Sequence, residues 1–427
     1  MARNYPFLLQ TVRSSGKGAW ETGMPLGSQA HHAPHRMAAA RQAIGRFLKS
    51  TRQTMRLSQA QVAVLASRNS LPLSRAAISA IERGLHLPSL EALLTYWNAL
   101  QVDPMEVLER ARLATVAPAN LSSLSDDQLE RRAGELHREG HHRDAAALYD
   151  TMLERLAQDP PSDPKVNARR QATVHLQRAT ALRRAAALLA ARSAAERSIA
   201  AGSACPDVQA EAYSVLAMIH LQMSNLPLAT DAASKAALLS ETCGVETRTR
   251  VCLSRALVRF EAGEFEEARR ALLEARELAR KADDPAHLTQ IAGSLALCLL
   301  ALGRRKAARK GMMFAVALAR THRMAELEAR WLVELGRIAL DEKDLEEALD
   351  LAEAALSVAQ RRQDPLMIFR AEWLQHQIVL RKSPGDPDRL RLGRLRKLLP
   401  HLEDPGEREV QDFRATLGFA QGRKGTP

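Results

Sequence analysis

Aromatic residues are scarce, at 4% of the chain, and β-branched residues are sparse beside alanine, leucine, arginine and glutamate. Such a composition has little with which to fill a sheet and much with which to build helices. No apolar run approaches the ~18–20 residues that span a bilayer. Nor is Asn4–Phe7 followed by the sustained apolar stretch of a secretory leader. These absences predict a cytoplasmic protein with no membrane partner. The four cysteines, Cys205, Cys243, Cys252 and Cys298, stand in no CxxC or Cys/His ligand spacing. They read as buried thiols in a chain too large to need staples, with no metal or cofactor expected. There is no Walker loop, HExxH or GxSxG to support catalysis, so an enzyme is not expected.

What is present is unevenly distributed. Residues 1–117 carry 14 Lys/Arg against 6 Asp/Glu, whereas the remaining 310 residues carry 47 against 43. A basic module joined to a nearly neutral body suggests a polyanion partner for the first part alone. The length of 427 residues also exceeds what one compact core accommodates, so at least two units are expected.

Residues 1–36 show no period of 3.6 or 2 and carry Pro6, Pro25 and Pro34, so they read as a disordered arm. Within it, His31, His32 and His35 read as a loose histidine-rich tail. Residues 37–114 contain five short helical segments, 115–125 a Pro/Ser/Asn-bearing linker, 126–421 a nearly continuous helical pattern, and 422–427 a disordered tail.

The long helical stretch repeats. Small residues recur near a 40-residue period at Ala229, Ala268, Ala308 and Ala348, with Ala145 about two periods earlier. Twelve residues before each lies another: Ala133, Ala217, Ala256, Ala296 and Gly336. Pro206, Pro285, Pro365 and Pro405 keep the same beat and suit the first turn of a helix. Turn-like pieces at Gly263–Phe265, Leu302–Arg304 and Glu342–Asp344 fall between paired helices. The pattern predicts about seven hairpins of amphipathic helices, each covering its neighbour's apolar face, plus a final helix near 405–421 as a cap. The register of the second hairpin, residues 165–202, is open because its alanine run permits several.

In the basic module, Leu57–Ala63 reads LSQAQVA and Ser74–Gly84 reads SRAAISAIERG. Ser58 and Ser74 are good N-caps, Ile78 and Ile81 anchor the second helix, and Gly84 ends it. Pro88-Ser89 opens a fourth helix running to Leu100, and Pro104 a short fifth reaching about Arg110. The SQ at 58–59, IS at 78–79, IERG at 81–84 and PS at 88–89 resemble the Cro/cI-type (Xre-like) helix-turn-helix family over residues 38–113. The resemblance implies a lambda-repressor-like five-helix domain whose helix from Ser74 enters the major groove of double-stranded DNA. It implies base reading by Arg75, apolar contact by Ala76 and Ala80, a phosphate contact by Gln59, a further DNA contact by Arg83, and a structural Arg52–Glu82 salt bridge. Arg75 can donate twice to a guanine, whereas the alanines offer no hydrogen bond, so shape readout is expected to matter. The segment between the two helices is longer than is usual in the family, with the surplus expected in Ser67–Leu73.

The repeats resemble tetratricopeptide repeats at GEFEEA (263–268), KDLEEA (343–348), Leu295-Ala296 and Leu335-Gly336. Their period is longer than that family's ~34 residues. The expected fold is all-α, a helix-turn-helix head on a right-handed α-solenoid. That architecture is similar to the RRNPP peptide-sensing regulators, which implies a peptide or protein ligand for the repeats, and a homodimer is expected because one five-helix head contacts only a half-site. First helices would line the groove, making Arg250, Gln290, Arg330 and Arg337 groove candidates. Two functions follow: a ligand-gated transcription regulator, or a DNA-bound scaffold that recruits another protein without a small effector.

Overall fold

The computed structural model describes residues 33–68, 73–102, 104–116, 124–362, 364–383, 388–399, 402 and 408–422. Among them the chain is all-helical, in twenty helices. No described helix is long and apolar enough to cross a membrane.

The head is built from α1 (Ala33–Thr54), α2 (Gln59–Arg68), α3 (Arg75–Glu82), α4 (Leu90–Leu100) and α5 (Pro104–Val116). Serines set three of the starts. The Gln61 N–H donates to Ser58 Oγ at 3.2 Å while the Ser58 N–H donates to Gln61 Oε1 at 2.7 Å, a reciprocal cap on α2. Ser74 Oγ accepts from the Ala77 N–H at 3.1 Å, and Ser89 Oγ from the Ala92 N–H at 3.2 Å. Ile44, Leu48, Val62, Ile78, Ala92 and Tyr96 close a single core. Two glycines let α1 meet the end of α3. A Cβ on Gly45 would lie 2.5 Å from the Ile81 carbonyl oxygen, and Gly84 turns the chain at φ +69° against Gln42.

The boundaries differ from expectation at both ends of the head. Helix α1 begins at Ala33, inside the stretch read as an arm, because Pro34 in a first turn costs no hydrogen bond. Residues 1–32, with His31 and His32, lie outside the described residues. Helix α5 continues past Arg110 to Val116, so the expected linker starts as helix. Residues 117–123, and residues 69–72 of the expected insertion, lie outside the described residues.

Seven hairpins follow. They are α6 (Asp126–Glu139) with α7 (His142–Gln158), α8 (Pro164–Arg184) with α9 (Leu188–Ala201), and α10 (Pro206–Gln222) with α11 (Leu226–Ser240). Next come α12 (Val245–Glu261) with α13 (Phe265–Lys281) and α14 (Pro285–Ala301) with α15 (Arg305–Thr321). The last two are α16 (Ala325–Asp341) with α17 (Leu345–Arg362) and α18 (Pro365–Lys382) with α19 (Arg389–Leu398). A final helix, α20 (Arg408–Gly422), packs against α18 through Phe413 and Phe369.

The small-residue register is met: Ala145, Ala229, Ala268, Ala308 and Ala348 have no exposed surface, and Ala133, Ala217, Ala256 and Ala296 are equally enclosed. A Cβ on Gly336 would stand 2.8 Å from Leu374 of the next hairpin. Pro206, Pro285 and Pro365 occupy first turns, while Pro405 lies outside the described residues. The turns reverse through one left-handed residue, Gly263 (φ 79°) or Gly303 (φ 74°), and Lys343 takes the same place at φ 66°. Cys205, Cys252 and Cys298 are buried, but Cys243 is half-exposed, since α11 ends just before it and its Sγ donates to the Leu239 carbonyl at 3.3 Å.

The stack curves far enough for its first two hairpins to touch the sixth. Arg184 pairs with Glu326 at 2.8 Å, and the Arg362 guanidinium donates to the Arg138 carbonyl at 3.1 Å, across 224 residues of chain. The first helices α8, α10, α12 and α14 face a shared lumen.

Candidate nucleic-acid interface and repeat lumen

Helix α3 is held at its C-terminal end and open at its start. Glu82 is buried and accepts from Arg52 Nε at 2.6 Å and Nη2 at 2.8 Å, while Arg52 Nη1 reaches the Leu57 carbonyl at 2.7 Å. The expected salt bridge is therefore present, and it ties α1, the approach to α2 and the end of α3 together. Its hydrogen bond to Glu82 raises the guanidinium's pKa, and burial beside Glu82 raises that of the Tyr96 phenol. Gln59 belongs to the same network. Its Nε2 donates to Glu82 Oε2 at 2.9 Å, which uses one of its two amide hydrogens inside the head.

The other end of α3 faces solvent. Arg75 and Ala76 are exposed in the first turn, and Ala80 is half-buried one turn on. Arg83 is exposed at the C-terminal end, its Nε donating to the Ser79 carbonyl at 3.3 Å. Arg75, Ala76 and Ala80 thus share α3, with Arg83 as its C-cap and Gln59 of α2 facing that end.

In the array, a cavity of about 530 Å³ opens among α8, α10, α12 and α14. Leu176, Val215, Met218, Leu253 and Leu257 give it apolar walls. Arg250 and Gln290 line it as expected, and Arg250 is already paired with Glu211 at 2.7 Å. Ser214 Oγ and Gln177 Oε1 are buried at the wall with no hydrogen-bond partner among the described residues. Buried polar atoms of this kind are ordinarily satisfied, so the cavity presents unmet hydrogen-bonding capacity.

The other two groove candidates are placed elsewhere. The Arg330 guanidinium lies 5.0 Å above the Trp331 ring, and neither residue lines the cavity. Arg337 pairs with Glu334 and with Glu409 of α20. Arg370 joins them, 2.7 Å from Glu409 and 2.6 Å from Glu334. Burial works to raise the Glu409 carboxyl, but Arg370 and Arg337 overcome it and bring its pKa down to about 2. Arg337 is a clamp for the capping helix, because α20 covers the ground its face would otherwise open.

A junction between head and array has no sequence signature. Glu106 of α5 is buried, accepting from Ser193 Oγ at 2.8 Å and lying 3.0 Å from Arg197. Asp150 lies 3.1 Å from Arg110 of α5 and 2.7 Å from the fully enclosed Arg178 of α8. The Arg110 guanidinium also covers the Phe47 ring at 4.1 Å. Burial and the neighbouring Arg197 drive the adjacent His175 well below the usual histidine range, so it is neutral there. In the sequence, Glu106 and Arg110 look like an ordinary surface pair one helical turn apart.

The model of a helix-turn-helix domain matches residues 43–111. A comparison with curated protein sequences found no match. Among solved structures, the chain is similar to Bacillus thuringiensis PlcR in complex with the peptide PapR7 and DNA: 16% identity, TM-score 0.39, covering 67% of this chain and 98% of that one. It is similar to the apo form of RapI at 13% identity and TM-score 0.47, covering 69% and 99%. Aspartyl phosphate phosphatase F from Bacillus subtilis gives 12% identity and TM-score 0.47, covering 90% and 86%. The matched domain and the fold together define a helix-turn-helix domain followed by an array of stacked helical hairpins.

Proposed function

We propose that the chain is a sequence-specific DNA-binding transcription regulator whose array takes a peptide or small ligand in its lumen and which acts as a homodimer. The observation that carries the ligand-gated reading is the position of α8. One part of its surface gives Leu176 and Gln177 to the cavity, and another gives Arg178 and His175 to the buried junction with α5. A ligand that displaces α8 therefore bears on the head's last helix through charges that tolerate little separation. On the DNA side, Arg75 reads bases from the first turn of α3, Ala76 and Ala80 meet apolar base edges, and Gln59 and Arg83 contact phosphates.

Selecting bound duplexes from a random pool tests the DNA reading. The expected result is one enriched sequence with two half-sites about one helical turn apart. No enrichment would refute it. Mass spectrometry of molecules released from the purified protein, followed by adding them back to the DNA titration, tests the gating. A retained ligand that leaves DNA affinity unchanged would refute gating and favour a recruiting scaffold.

A further inference from the structure

Helices α15 and α17 differ in a way their place in the repeat does not explain. Lys306, Lys310 and Met313 of α15 stand one 40-residue repeat before Glu346, Asp350 and Glu353 of α17, and all six are exposed. Each set has i, i+4, i+7 spacing, so each lies on one outward helix face. Helix α15 contains no carboxylate, and its face continues from Met313, 53% exposed, to Phe314, 59% exposed. Apart from Arg361 and Arg362 in its last turn, α17 carries charge of the opposite sign alone.

Mixed faces elsewhere in the array neutralise themselves. On α13, Arg269 pairs with Glu266 at 2.8 Å and Arg270 with Glu267 at 2.6 Å. Lys306, Lys310, Glu346, Asp350 and Glu353, by contrast, have no ion pair among the described residues. A single side chain bridges the two hairpins, because Arg309 of α15 pairs with Glu342 at the end of α16 and with Glu347 of α17. A basic stripe, an acidic stripe and two exposed apolar side chains thus stand on the second helices of neighbouring hairpins.

We propose that this surface is the homodimer interface, with α15 of each protomer lying on α17 of the other. The proposal rests on the reading of the chain as a regulator that acts as a pair. A two-fold interface joins the same patch on both subunits, so the patch must complement itself. A two-fold axis running between the helices and parallel to them sets each α15 over the opposite α17, and cations meet carboxylates twice. An axis running across the helices sets α15 on α15, lysine against lysine. Charge selects the first arrangement, and Met313 and Phe314 add exposed apolar area beside the paired charges.

Sedimentation equilibrium of the full chain, without DNA or ligand, tests it. The wild type is expected to dimerise. The double variant Lys306→Glu/Lys310→Glu, and separately Glu346→Lys/Asp350→Lys, should each raise the dimer Kd by roughly a hundredfold or more, since each sets like charges face to face. Mixing the two variants should restore a dimer of near wild-type affinity, because each reversed stripe then meets its complement. That rescue also proves both variants folded. A wild type that stays monomeric, or reversed variants that dimerise like the wild type, would overturn the proposal. A DNA titration of the same wild-type sample separates the two readings. A dimer indifferent to every DNA would sink the regulator and leave the interface, whereas a DNA-binding monomer would sink the interface alone.

Discussion

The head and the array both bring helices into close contact, but they store the instructions differently. In the head, a few singular residues suffice: three capping serines, two glycines where α1 meets α3, and one buried Arg52–Glu82 pair. In the array, the same contact recurs in five hairpins through the enclosed Ala145, Ala229, Ala268, Ala308 and Ala348. A motif can tolerate change anywhere but at its few fixed points. A periodic contact distributes the risk, yet each copy has no room for a larger side chain.

Ala308→Asp strikes the array where it has no room to spare. It buries a carboxylate with no partner where two helices touch, and several kcal/mol, roughly 3–5, should be lost in denaturant unfolding. Glu266→Ala, one repeat away on an exposed ion-paired site, should stay within about 0.5 kcal/mol. The head's counterpart is Glu82→Ala. It strands Arg52 in the core, and a loss of about 3 kcal/mol, read as a lowered Tm of the head, is expected. Equal tolerance of Ala308→Asp and Glu266→Ala would undo the repeat register.

The capping helix gives a pH-dependent test. Glu409 titrates at about 2 in the folded chain against an ordinary 4.5. Because the folded value is depressed, its stabilisation is full above pH 4.5 and is lost as pH falls from there toward 2, an effect of ~3 kcal/mol. Glu409→Gln should remove that part of the acid sensitivity, as followed by hydrogen exchange in α20. An unchanged acid profile would mean that the clamp does not hold the cap.

For the head's function, Arg75→Ala should weaken binding to the selected operator by about 1–3 kcal/mol and to scrambled DNA much less. Both duplexes are titrated at one salt concentration, since phosphate contacts make affinity strongly salt-dependent. Equal loss on both would make Arg75 a phosphate contact. The smallest effect concerns the array's turns. Lys343→Gly should stabilise the chain by about 1 kcal/mol, because a left-handed residue with a Cβ is strained where Gly263 and Gly303 are not. No gain in melting temperature would contradict this.

The sequence alone determined what depends on residues close together in the chain. The caps at Ser58 and Ser74, the turns at Gly263 and Gly303, and the buried faces at Ala268 and Ala348 are local, because capping spans three residues and helical periodicity a few turns. The Arg52–Glu82 pair was legible through its resemblance to a family, and two of the four groove candidates, Arg250 and Gln290, through repeat geometry. Tertiary structure decided the rest. Nothing in the chain's order brings Glu106 to Arg197, Gly293 beneath the Trp331 ring, or Arg337 to Glu409. Such contacts arise only after many hairpins have stacked, when small rotations per repeat have accumulated into a curve. That accumulation moved Arg337 out of the groove and under the cap, and it set α8 between the lumen and the head.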